Sequence, residues 1–308
     1  MMDREFFSME NIRSGVIVAH HGIAVDILFD SGERRMVKVK RNSGHVVGDR
    51  MIVKDHGLTR LPRRTELCRR DSRGGVRIVG ANLDVLGIVV SSLPLSPLGY
   101  IDQAIVTARQ ADLRPVLVMN KSDLGSSRDF IVETKNIYQN VVEIFVVSAV
   151  TGAGIDDLVS FIGQGEGLRS FFIGVTGVGK SSLLNTICPT LDLRIGELYE
   201  AGRRGCNTTT VSTLHSLPGG GELVDTPGFN EFGLVDVSPL DLAGYFPGFE
   251  GAMDHGFCRF RNCLHRTEPG CAVIEAVKNK RISEERYLTY LKILNIIEAG
   301  KARFKTRR

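Results

Sequence analysis

The first residues whose types and spacing suit chemistry form a glycine-rich loop, Gly174-Val-Thr-Gly-Val-Gly-Lys180-Ser181. The loop follows an apolar run and precedes a helical pattern, and in that context G-x-x-x-x-G-K-[ST] indicates phosphate binding. Glycines let backbone N–H groups face phosphate oxygens, and the helix N-terminus adds positive potential. Lys180 is the predicted catalytic contact to the β- and γ-phosphates, and Ser181 is a predicted Mg²⁺ ligand. The predicted nucleotide-binding positions of this loop are Gly174, Val175, Thr176, Gly177, Val178, Gly179, Lys180, Ser181 and Ser182.

A second loop, Asn120-Lys121-Ser122-Asp123, is suited to distinguishing guanine from adenine. It follows an apolar run at 116–119, so we expect it at the carboxyl edge of a sheet, where ligands bind. The carboxylate of Asp123 can accept hydrogen bonds from both N1–H and the 2-amino group of guanine, and adenine lacks that pair. Asn120 is expected to hold this loop against the phosphate loop, and Lys121 to lie along the base.

A third loop, Ser148-Ala149-Val150-Thr151-Gly152, also follows a predicted strand. Ser148 and Ala149 are its predicted nucleotide contacts, because the backbone N–H of Ala149 can be offered to guanine O6.

Two later segments are predicted to complete a magnesium site. Asp225-Thr226-Pro227-Gly228 ends an apolar run; we predict that Asp225 holds the Mg²⁺ shell and that the Gly228 N–H senses the γ-phosphate. Within the threonine run 208–210, Thr209 is the predicted catalytic Mg²⁺ ligand. The alternative is a threonine run that is simply prone to form a strand.

The order of these motifs is informative. In the usual GTPase the phosphate loop comes first, whereas here N-K-S-D at 120 precedes the phosphate loop at 174 and D-T-P-G at 225. This is a circular permutation, and the sheet can still form because each motif keeps its own strand. The segment after D-T-P-G leads directly into the C-terminal part, so we expect nucleotide-driven movement to shift that part as a lever.

Three cysteines and a histidine near the C-terminus form a candidate metal site. Cys258, Cys263, His265 and Cys271 have the spacing C-x4-C-x-H-x5-C within 14 residues. Three thiolates and one imidazole favour tetrahedral Zn²⁺, and with no open position the predicted role is structural. The alternative is four reduced residues in a surface loop.

The elements that must position these groups fall into three parts. Alternating apolar residues at 23–53 predict four or five short strands and a small closed barrel, followed by a basic stretch at 60–75 that we interpret as a solvated linker. Strand-length apolar runs alternate with helical patterns at 83–187, which predicts a parallel, doubly wound sheet. The tail at 274–302 is predicted to be mostly helical.

Composition limits the class of protein. A chain of 308 residues with 43% hydrophobic content is long enough for two or three domains. No membrane span or secretory signal is recognised, which favours a cytoplasmic protein. Net charge is +5 over residues 1–75, −9 over 76–255 and +8 over 256–308. Basic ends favour contact with a polyanion, and the alternative is an unevenly charged solvated surface.

Together these features resemble the ribosome small-subunit-dependent GTPase A (RsgA) family. The permuted order, the preceding β-rich segment and the cysteine–histidine cluster carry the resemblance over nearly the whole chain. It implies a multidomain fold: an N-terminal OB-fold β-barrel of the RNA-binding type, a circularly permuted α/β P-loop GTPase domain and a zinc-binding, mainly helical domain. We place these domains at residues 1–65, 66–233 and 234–308.

The resemblance also implies partners. The family's GTPase is slow alone, is stimulated by the small ribosomal subunit and acts in late maturation of that subunit, and its OB-fold contacts rRNA. Both basic ends of this chain thereby become candidate rRNA contacts. Nothing in the sequence indicates a dimer, so a monomer is expected.

One position departs from the family pattern. The resemblance implies Gly-Arg-His before the threonines, with that histidine a proposed catalytic residue, whereas this chain has Gly205-Cys206-Asn207. Asn207 is the candidate catalytic residue there; it can orient water by hydrogen bonding but cannot act as a base near neutral pH. Phe229 follows D-T-P-G where many GTPases have glutamine, so we expect the ribosome to supply or order catalytic groups.

The leading prediction is a GTPase of small-subunit assembly that hydrolyses GTP to GDP and phosphate, using Mg²⁺ and one structural Zn²⁺. The alternative is a GTP-gated rRNA-binding switch whose hydrolysis is negligible because Asn207 replaces histidine. A metabolic P-loop kinase or ATPase is disfavoured by N-K-S-D. A purely structural zinc protein is disfavoured by the intact Lys180, Asp123 and Asp225.

Overall fold

The N-terminal part forms antiparallel strands because its apolar residues alternate with polar ones. A computed structural model describes residues 12–54, 57–70, 75–191, 211–226, 237–254 and 256–305. The first five strands are β1 (Ile12–His20), β2 (Ala24–Phe29), β3 (Arg34–Lys38), β4 (Arg50–Lys54) and β5 (Gly57–Arg60). β1 pairs with both β2 and β4, β2 with β3, and β4 with β5.

The five strands enclose a small core of their own. Ile17, Val25, Ile27 and Met51 are fully buried in it. The predicted short strands are therefore present. Among the described residues no pairing joins β3 to β5, so closure of these strands into an OB-fold barrel stays a prediction.

The basic stretch after β5 differs from the expected linker. Its residues enter an antiparallel hairpin of β6 (Glu66–Arg70) and β7 (Val76–Ala81). Leu67 is fully buried against the central core, and the side chain of Arg63 is only 4% exposed. The interpretation as a solvated linker was wrong for Arg63 and β6. The closely spaced arginines suggested exposure to solvent, although Leu67 and the ion pair of Arg63 are buried.

The central sheet is parallel, as the alternation of apolar runs and helical patterns predicted. Five strands lie in the order β10-β9-β8-β11-β13, all parallel, and β12 pairs antiparallel with β13. The sequence did not predict β12. Their bounds are β8 (Val85–Val90), β9 (Arg114–Met119), β10 (Glu143–Val146), β11 (Arg169–Gly174), β12 (Ser212–Ser216) and β13 (Glu222–Asp225).

Helices cover both faces of this sheet. Ile105 and Tyr138, from the first two helices, pack in one core, and Leu158 and Leu183, from the next two, pack in the other. The doubly wound arrangement is thereby confirmed. The helices are α1 (Tyr100–Gln110), α2 (Ser127–Tyr138), α3 (Ile155–Ile162), α4 (Lys180–Ile187), α5 (Leu242–Tyr245), α6 (Glu250–Asp254), α7 (Ala272–Lys278) and α8 (Glu284–Lys305), with a 3₁₀ turn at Pro189–Leu191.

The C-terminal helices pack around an aromatic core. Phe246, Phe249 and Tyr290 are fully buried, with ring centroids 4.8 to 5.3 Å apart. Val106 of α1 belongs to the same core, so these helices pack directly on the central domain. The prediction of a mostly helical tail is confirmed within the described residues.

Arg286 of α8 fastens the helical part to the sheet domain. Its guanidinium donates to the carbonyl oxygens of Pro247 (2.8 Å) and Ile137 (3.1 Å) and lies 5.0 Å from the Tyr138 ring centroid. It also lies 3.8 Å from the buried carboxylate of Asp102, which accepts a hydrogen bond from the Tyr138 hydroxyl. Burial raises the pKa of Asp102, and the positive charge of Arg286 opposes that shift. The contact therefore offsets part of the free-energy cost of burying the carboxylate.

The seam between the N-terminal strands and the sheet domain depends on Gly48. Gly48 has φ +91°, and a Cβ there would lie 2.1 Å from the carbonyl oxygen of Ala81. The Gly48 carbonyl accepts from the side chains of Asn82 (2.8 Å) and Arg169 (3.0 Å). A larger residue at position 48 would force the two parts apart.

A second connection runs through backbone pairing. β1 pairs antiparallel with β12, with Ala19 opposite Thr213 and His20 opposite Ser212. The N-terminal strands therefore continue the central sheet.

No helix within the described ranges is long and apolar enough to cross a membrane.

Replacing Arg63 with alanine is expected to destabilise the N-terminal strands by about 3–5 kcal/mol. The Asp49 side chain is fully buried and accepts two hydrogen bonds from Arg63, at 2.6 and 2.9 Å, so Arg63→Ala leaves a buried carboxylate without a cation, with the Val46 N–H as its remaining donor. Urea unfolding measures the change. Arg13→Ala breaks the more exposed Arg13–Glu33 pair and serves as the matched control, with a loss under about 1 kcal/mol. Equal decreases in the free energy of unfolding for the two variants would show that the Arg63–Asp49 pair stabilises no more than an exposed pair.

Candidate functional site

The phosphate loop has the backbone that its glycines predict. It connects the end of β11 to the start of α4, and Gly177 and Gly179 have φ +89° and +87°, in the left-handed region. A Cβ on Gly179 would lie 2.5 Å from Asn120 Nδ2, and one on Gly174 would lie 2.9 Å from the Val89 carbonyl oxygen. These glycines are required by the backbone and by close neighbours.

The side chain of Asn120 joins three loops. Its Nδ2 donates to the carbonyl oxygens of Val178 (3.0 Å) and Gly179 (3.3 Å), and its Oδ1 accepts from the backbone N–H of Ala149 (3.1 Å). Asn120 is only 3% exposed, so water does not compete for these bonds. The contact expected between Asn120 and the phosphate loop is present, and the third loop is held by the same amide.

Lys121 adds a second link to the phosphate loop. Its Nζ donates to the carbonyl oxygens of Gly177 (2.6 Å) and Leu93 (2.8 Å). Lys121 adopts φ +63°, which is uncommon for a residue other than glycine. The loop between β8 and α1, which contains Leu93, thereby becomes part of the site's frame, and the sequence motifs did not indicate it.

Two serines support that strained backbone. The buried Ser127 hydroxyl donates to the carbonyl oxygen of Lys121 (2.7 Å) and lies 2.9 Å from the Ser92 hydroxyl. Sequence reasoning missed both, because a serine at a helix start, such as Ser127, is an ordinary N-terminal residue, and Ser92 lies in a different loop, upstream of N-K-S-D. The position of Ser127 shortly after N-K-S-D was the only available signal.

Asp123, the predicted base-recognising carboxylate, lies beside the third loop. Its Oδ1 accepts a hydrogen bond of 2.5 Å from the Ser148 hydroxyl, and the residue is exposed. Ser148 also accepts from the backbone N–H of Thr151 (3.1 Å), which shapes the third loop. Ser122 connects to this region through its N–H, which donates to Val147 (3.1 Å). The groups predicted to select guanine therefore converge on one edge of the sheet.

Lys180 and Asp225 influence each other across the phosphate end of the site. Burial lowers the pKa of Lys180, and the nearby Asp225 carboxylate opposes that shift. Burial likewise raises the pKa of Asp225, which is 8% exposed, and Lys180 opposes it. Ser181 and Ser182 are partly exposed in the first turn of α4. An ammonium, a carboxylate and a hydroxyl near a helix N-terminus fit a phosphate bound with Mg²⁺.

Three predicted positions, Asn207, Thr209 and Gly228, lie outside the described residues. Their assigned roles stay predictions.

The four candidate zinc ligands converge in the C-terminal part. His265 Nδ1 lies 3.5 Å from Cys258 Sγ, 3.6 Å from Cys263 Sγ and 3.3 Å from Cys271 Sγ, and all four ligand atoms lie within 4.8 Å of one another. Tetrahedral bonds to zinc of ordinary length give S···N separations of roughly 3.5 Å. The residues therefore fit a tetrahedral Zn²⁺, which supports the metal interpretation over a loop of unrelated thiols.

The chain around the ligands is held by a second set of hydrogen bonds. His265 has φ +58°, and its carbonyl oxygen accepts from the Tyr287 hydroxyl (2.7 Å). The Tyr290 hydroxyl donates to the Leu264 carbonyl oxygen (3.1 Å). Glu268 accepts from the backbone N–H groups of Leu264, Arg266 and Thr267 at 2.7 to 3.0 Å.

Those N–H groups also change the acidity of Glu268. Burial alone would raise its pKa, but the donors outweigh burial and lower the pKa to about 2. Glu268 therefore remains a carboxylate at the centre of the ligand loop, and the sequence had not identified it.

Comparison with known proteins agrees with this geometry. A sequence model of the RsgA GTPase family matches residues 60–235. The chain belongs to the RsgA GTPase family. A protein of Pseudomonas fluorescens Pf-5 named small ribosomal subunit biogenesis GTPase RsgA is 37% identical over 296 residues, covering 92% of this chain and 85% of its own length. One of the same name from Azotobacter vinelandii is 38% identical over 299 residues, with the same coverage of each chain.

Solved structures add the fold. The crystal structure of YjeQ from Thermotoga maritima matches with a TM-score of 0.74 and 33% identity, covering 92% of this chain and 98% of that one. The crystal structure of YloQ, described as a circularly permuted GTPase, matches with a TM-score of 0.70 at 24% identity, covering 96% and 98%. Membership in the RsgA family confirms the predicted enzyme class, a GTPase, and the permuted motif order.

Ser127→Ala is expected to weaken GDP binding about tenfold, because one buried hydrogen bond that holds Lys121 is lost. Titration with a fluorescent guanine nucleotide measures the effect. Ser126→Ala is the matched control, since Ser126 is exposed and its hydroxyl lies 3.4 Å from that of Ser92. A Ser127→Ala variant with unchanged GDP affinity would remove Ser127 from the site.

Glu268→Ala is expected to weaken zinc binding roughly 10- to 100-fold, because three backbone N–H groups that shape the ligand loop lose their acceptor. Competition with a chromophoric chelator measures the affinity. Glu284→Ala, an exposed carboxylate in the first turn of α8, is the control. If both variants retained zinc equally well, Glu268 would have no part in the metal site.

Proposed function

We propose that the chain hydrolyses GTP to GDP and phosphate in small-ribosomal-subunit biogenesis, with turnover stimulated by the subunit and action late in its maturation. The Asn120 amide carries the nucleotide part of this proposal, because it joins the guanine-type loop, the phosphate loop and the Ser148–Ala149 loop in one frame. The names of relatives that cover most of the chain support the ribosomal part.

The residues take distinct roles in this proposal. Asp123 selects guanine, and the glycine-rich loop and Lys180 hold the phosphates. The Ala149 N–H donates to Asn120 Oδ1 in this structure, and it is proposed to share that hydrogen bond with guanine O6 when the base is bound. Ser181, Asp225 and Thr209 are the proposed Mg²⁺ ligands; the metal, when bound, neutralises charge that develops on the phosphate oxygens. The Gly228 N–H is assigned to sensing the γ-phosphate. The closed Cys258–Cys263–His265–Cys271 set holds zinc as a structural ion.

The N-terminal strands are proposed to be an OB-fold that contacts rRNA. The five-stranded pairing around β1 supports the fold, and β3 presents exposed Arg34, Arg35 and Lys38 at the end of the sheet. Basic side chains of this kind meet phosphates independently of sequence. The proposed domain limits remain 1–65, 66–233 and 234–308, and the proposed working form is a monomer in the cytoplasm.

Asn207 decides between two versions of this function. In the first, Asn207 orients the attacking water and groups on the ribosome complete the catalytic arrangement. In the second, the chain is a GTP-gated rRNA-binding switch with negligible hydrolysis, and the asparagine at the family's histidine position favours it.

GTP hydrolysis with and without purified small subunits separates the two versions. For the GTPase we expect strong stimulation by the subunit, and Asn207→Ala is expected to lower stimulated turnover at least about tenfold while GDP affinity stays unchanged. Gln164→Ala, at an exposed turn, is the control. Tight GTP binding without stimulated turnover would establish the switch instead. Stimulated turnover that is unaffected by Asn207→Ala would remove Asn207 from the mechanism.

A further inference from the structure

Two phenylalanines beside the zinc ligands are exposed. Phe257 is 97% exposed and Phe260 is 41% exposed, whereas Phe246, Phe249 and Tyr290 of the same part are fully buried. Single exposed apolar residues need no explanation, but two aromatic rings three positions apart in one short loop form a local surface. We name residues 257–263 the aromatic zinc loop.

The aromatic zinc loop is anchored at several points. Two of the metal ligands, Cys258 and Cys263, lie in it on either side of Phe260. The Arg259 N–H donates to the Gly270 carbonyl oxygen (3.0 Å), and the Cys263 N–H donates to the Phe260 carbonyl oxygen (3.3 Å). A loop held at these points presents its side chains in a fixed arrangement, so little ordering is required when a partner binds.

The surface around these rings is cationic. The Arg259 guanidinium lies 5.7 Å from the Phe260 ring centroid, and Arg261 is exposed beside it. Neither arginine forms an ion pair with any residue in the described part of the chain. Glu268, the carboxylate within the ligand loop, has both oxygens engaged by backbone N–H groups. The loop therefore offers flat apolar faces next to two arginines that form no ion pair with the described residues.

This combination selects one kind of partner. A nucleobase supplies a π-face for stacking, and its phosphate meets a neighbouring guanidinium. Bases inside a duplex are stacked on each other, so the partner must be unpaired. An acidic peptide would use the arginines but not the aromatic faces, and an apolar protein surface would have to cover the charges at a cost. Unpaired RNA uses both features.

We propose that Phe257 and Phe260 form a stacking platform for unpaired RNA nucleotides, with Arg259 and Arg261 contacting the adjacent phosphates. The proposal rests on the proposed function in that it names the RNA chemistry recognised by the basic C-terminal part. It concerns a site distinct from the nucleotide pocket and from the N-terminal strands.

The test uses the full-length, zinc-loaded protein, a fluorescent single-stranded RNA dodecamer and the same sequence as a duplex. Phe257→Ala and Phe260→Ala are each expected to weaken single-strand binding about tenfold, while duplex binding changes little. Phe257→Tyr retains a ring and is expected to bind normally, and Phe257→Leu is expected to behave like the alanine variant. Leu240→Ala, at a 51% exposed residue of the same part, is the matched control. Zinc content and the thermal transition confirm that each variant is folded.

Arg261→Gln tests the phosphate contact separately. We expect the slope of log affinity against log salt to fall by about 0.7 for single-stranded RNA. An unchanged slope would remove Arg261 from the proposal.

Other outcomes are equally decisive. Full binding by Phe257→Leu would show that a protein-like apolar contact, and not stacking, occupies the loop. Equal losses on duplex and single strand would reduce the site to a charged surface. Binding of the unaltered protein to small subunits, measured in parallel, tests the proposed function. If that binding were absent while RNA binding still depended on the two rings, the proposed ribosomal function would be wrong and the stacking platform would be supported.

Discussion

The hydrogen bonds of the Asn120 side chain are the interaction on which the nucleotide site depends. They join the ends of separate strands: one amide holds Val178 and Gly179 of the loop after β11 and Ala149 of the loop beyond β10. Because the residue is almost fully buried, breaking any of the three bonds leaves a polar group without water. Permutation changes the order in which the chain visits these loops, but it leaves their meeting point intact.

The contacts of the C-terminal part indicate which parts of the molecule move together. The lever expectation assumed that the C-terminal part follows the segment after D-T-P-G. The described contacts instead fasten that part to α1 and α2 through Arg286 and through Val106, which enters the helical core. A lever movement would have to withdraw Val106 from the helical core and free the buried Asp102 from its arginine. The contacts therefore favour a C-terminal part that moves with the helices of the sheet domain.

Motifs with strict chemical requirements could be predicted from the sequence, and features created by tertiary contact could not. The phosphate loop, the Asn120 link and the convergence of Cys258 with the other candidate zinc ligands follow from residue types and spacing alone. Ser127, Glu268 and Leu93 were missed because a hydroxyl, a carboxylate and a backbone carbonyl acquire their roles only from the chain that folds over them. The burial of Arg63 was not predicted for the same reason: its partner Asp49 lies 14 residues earlier in the sequence.

The strand β12, which the sequence did not predict, connects the N-terminal strands to the strand that ends at Asp225. One of its edges pairs with β13, placing Thr213 opposite Asp225, and its other edge pairs with β1, placing Ser212 opposite His20. A strand bonded on both edges cannot change its twist without altering both neighbours, because each ladder fixes the register of the next. The carboxylate proposed for the magnesium shell and the first strand of the proposed RNA-binding part are therefore separated by a single strand. The threonine run ends at Thr210, two residues before that strand begins, so the chain segment assigned to the nucleotide leads directly into it. The coupling that a nucleotide-dependent RNA binder requires can thus be carried by ordinary sheet hydrogen bonds.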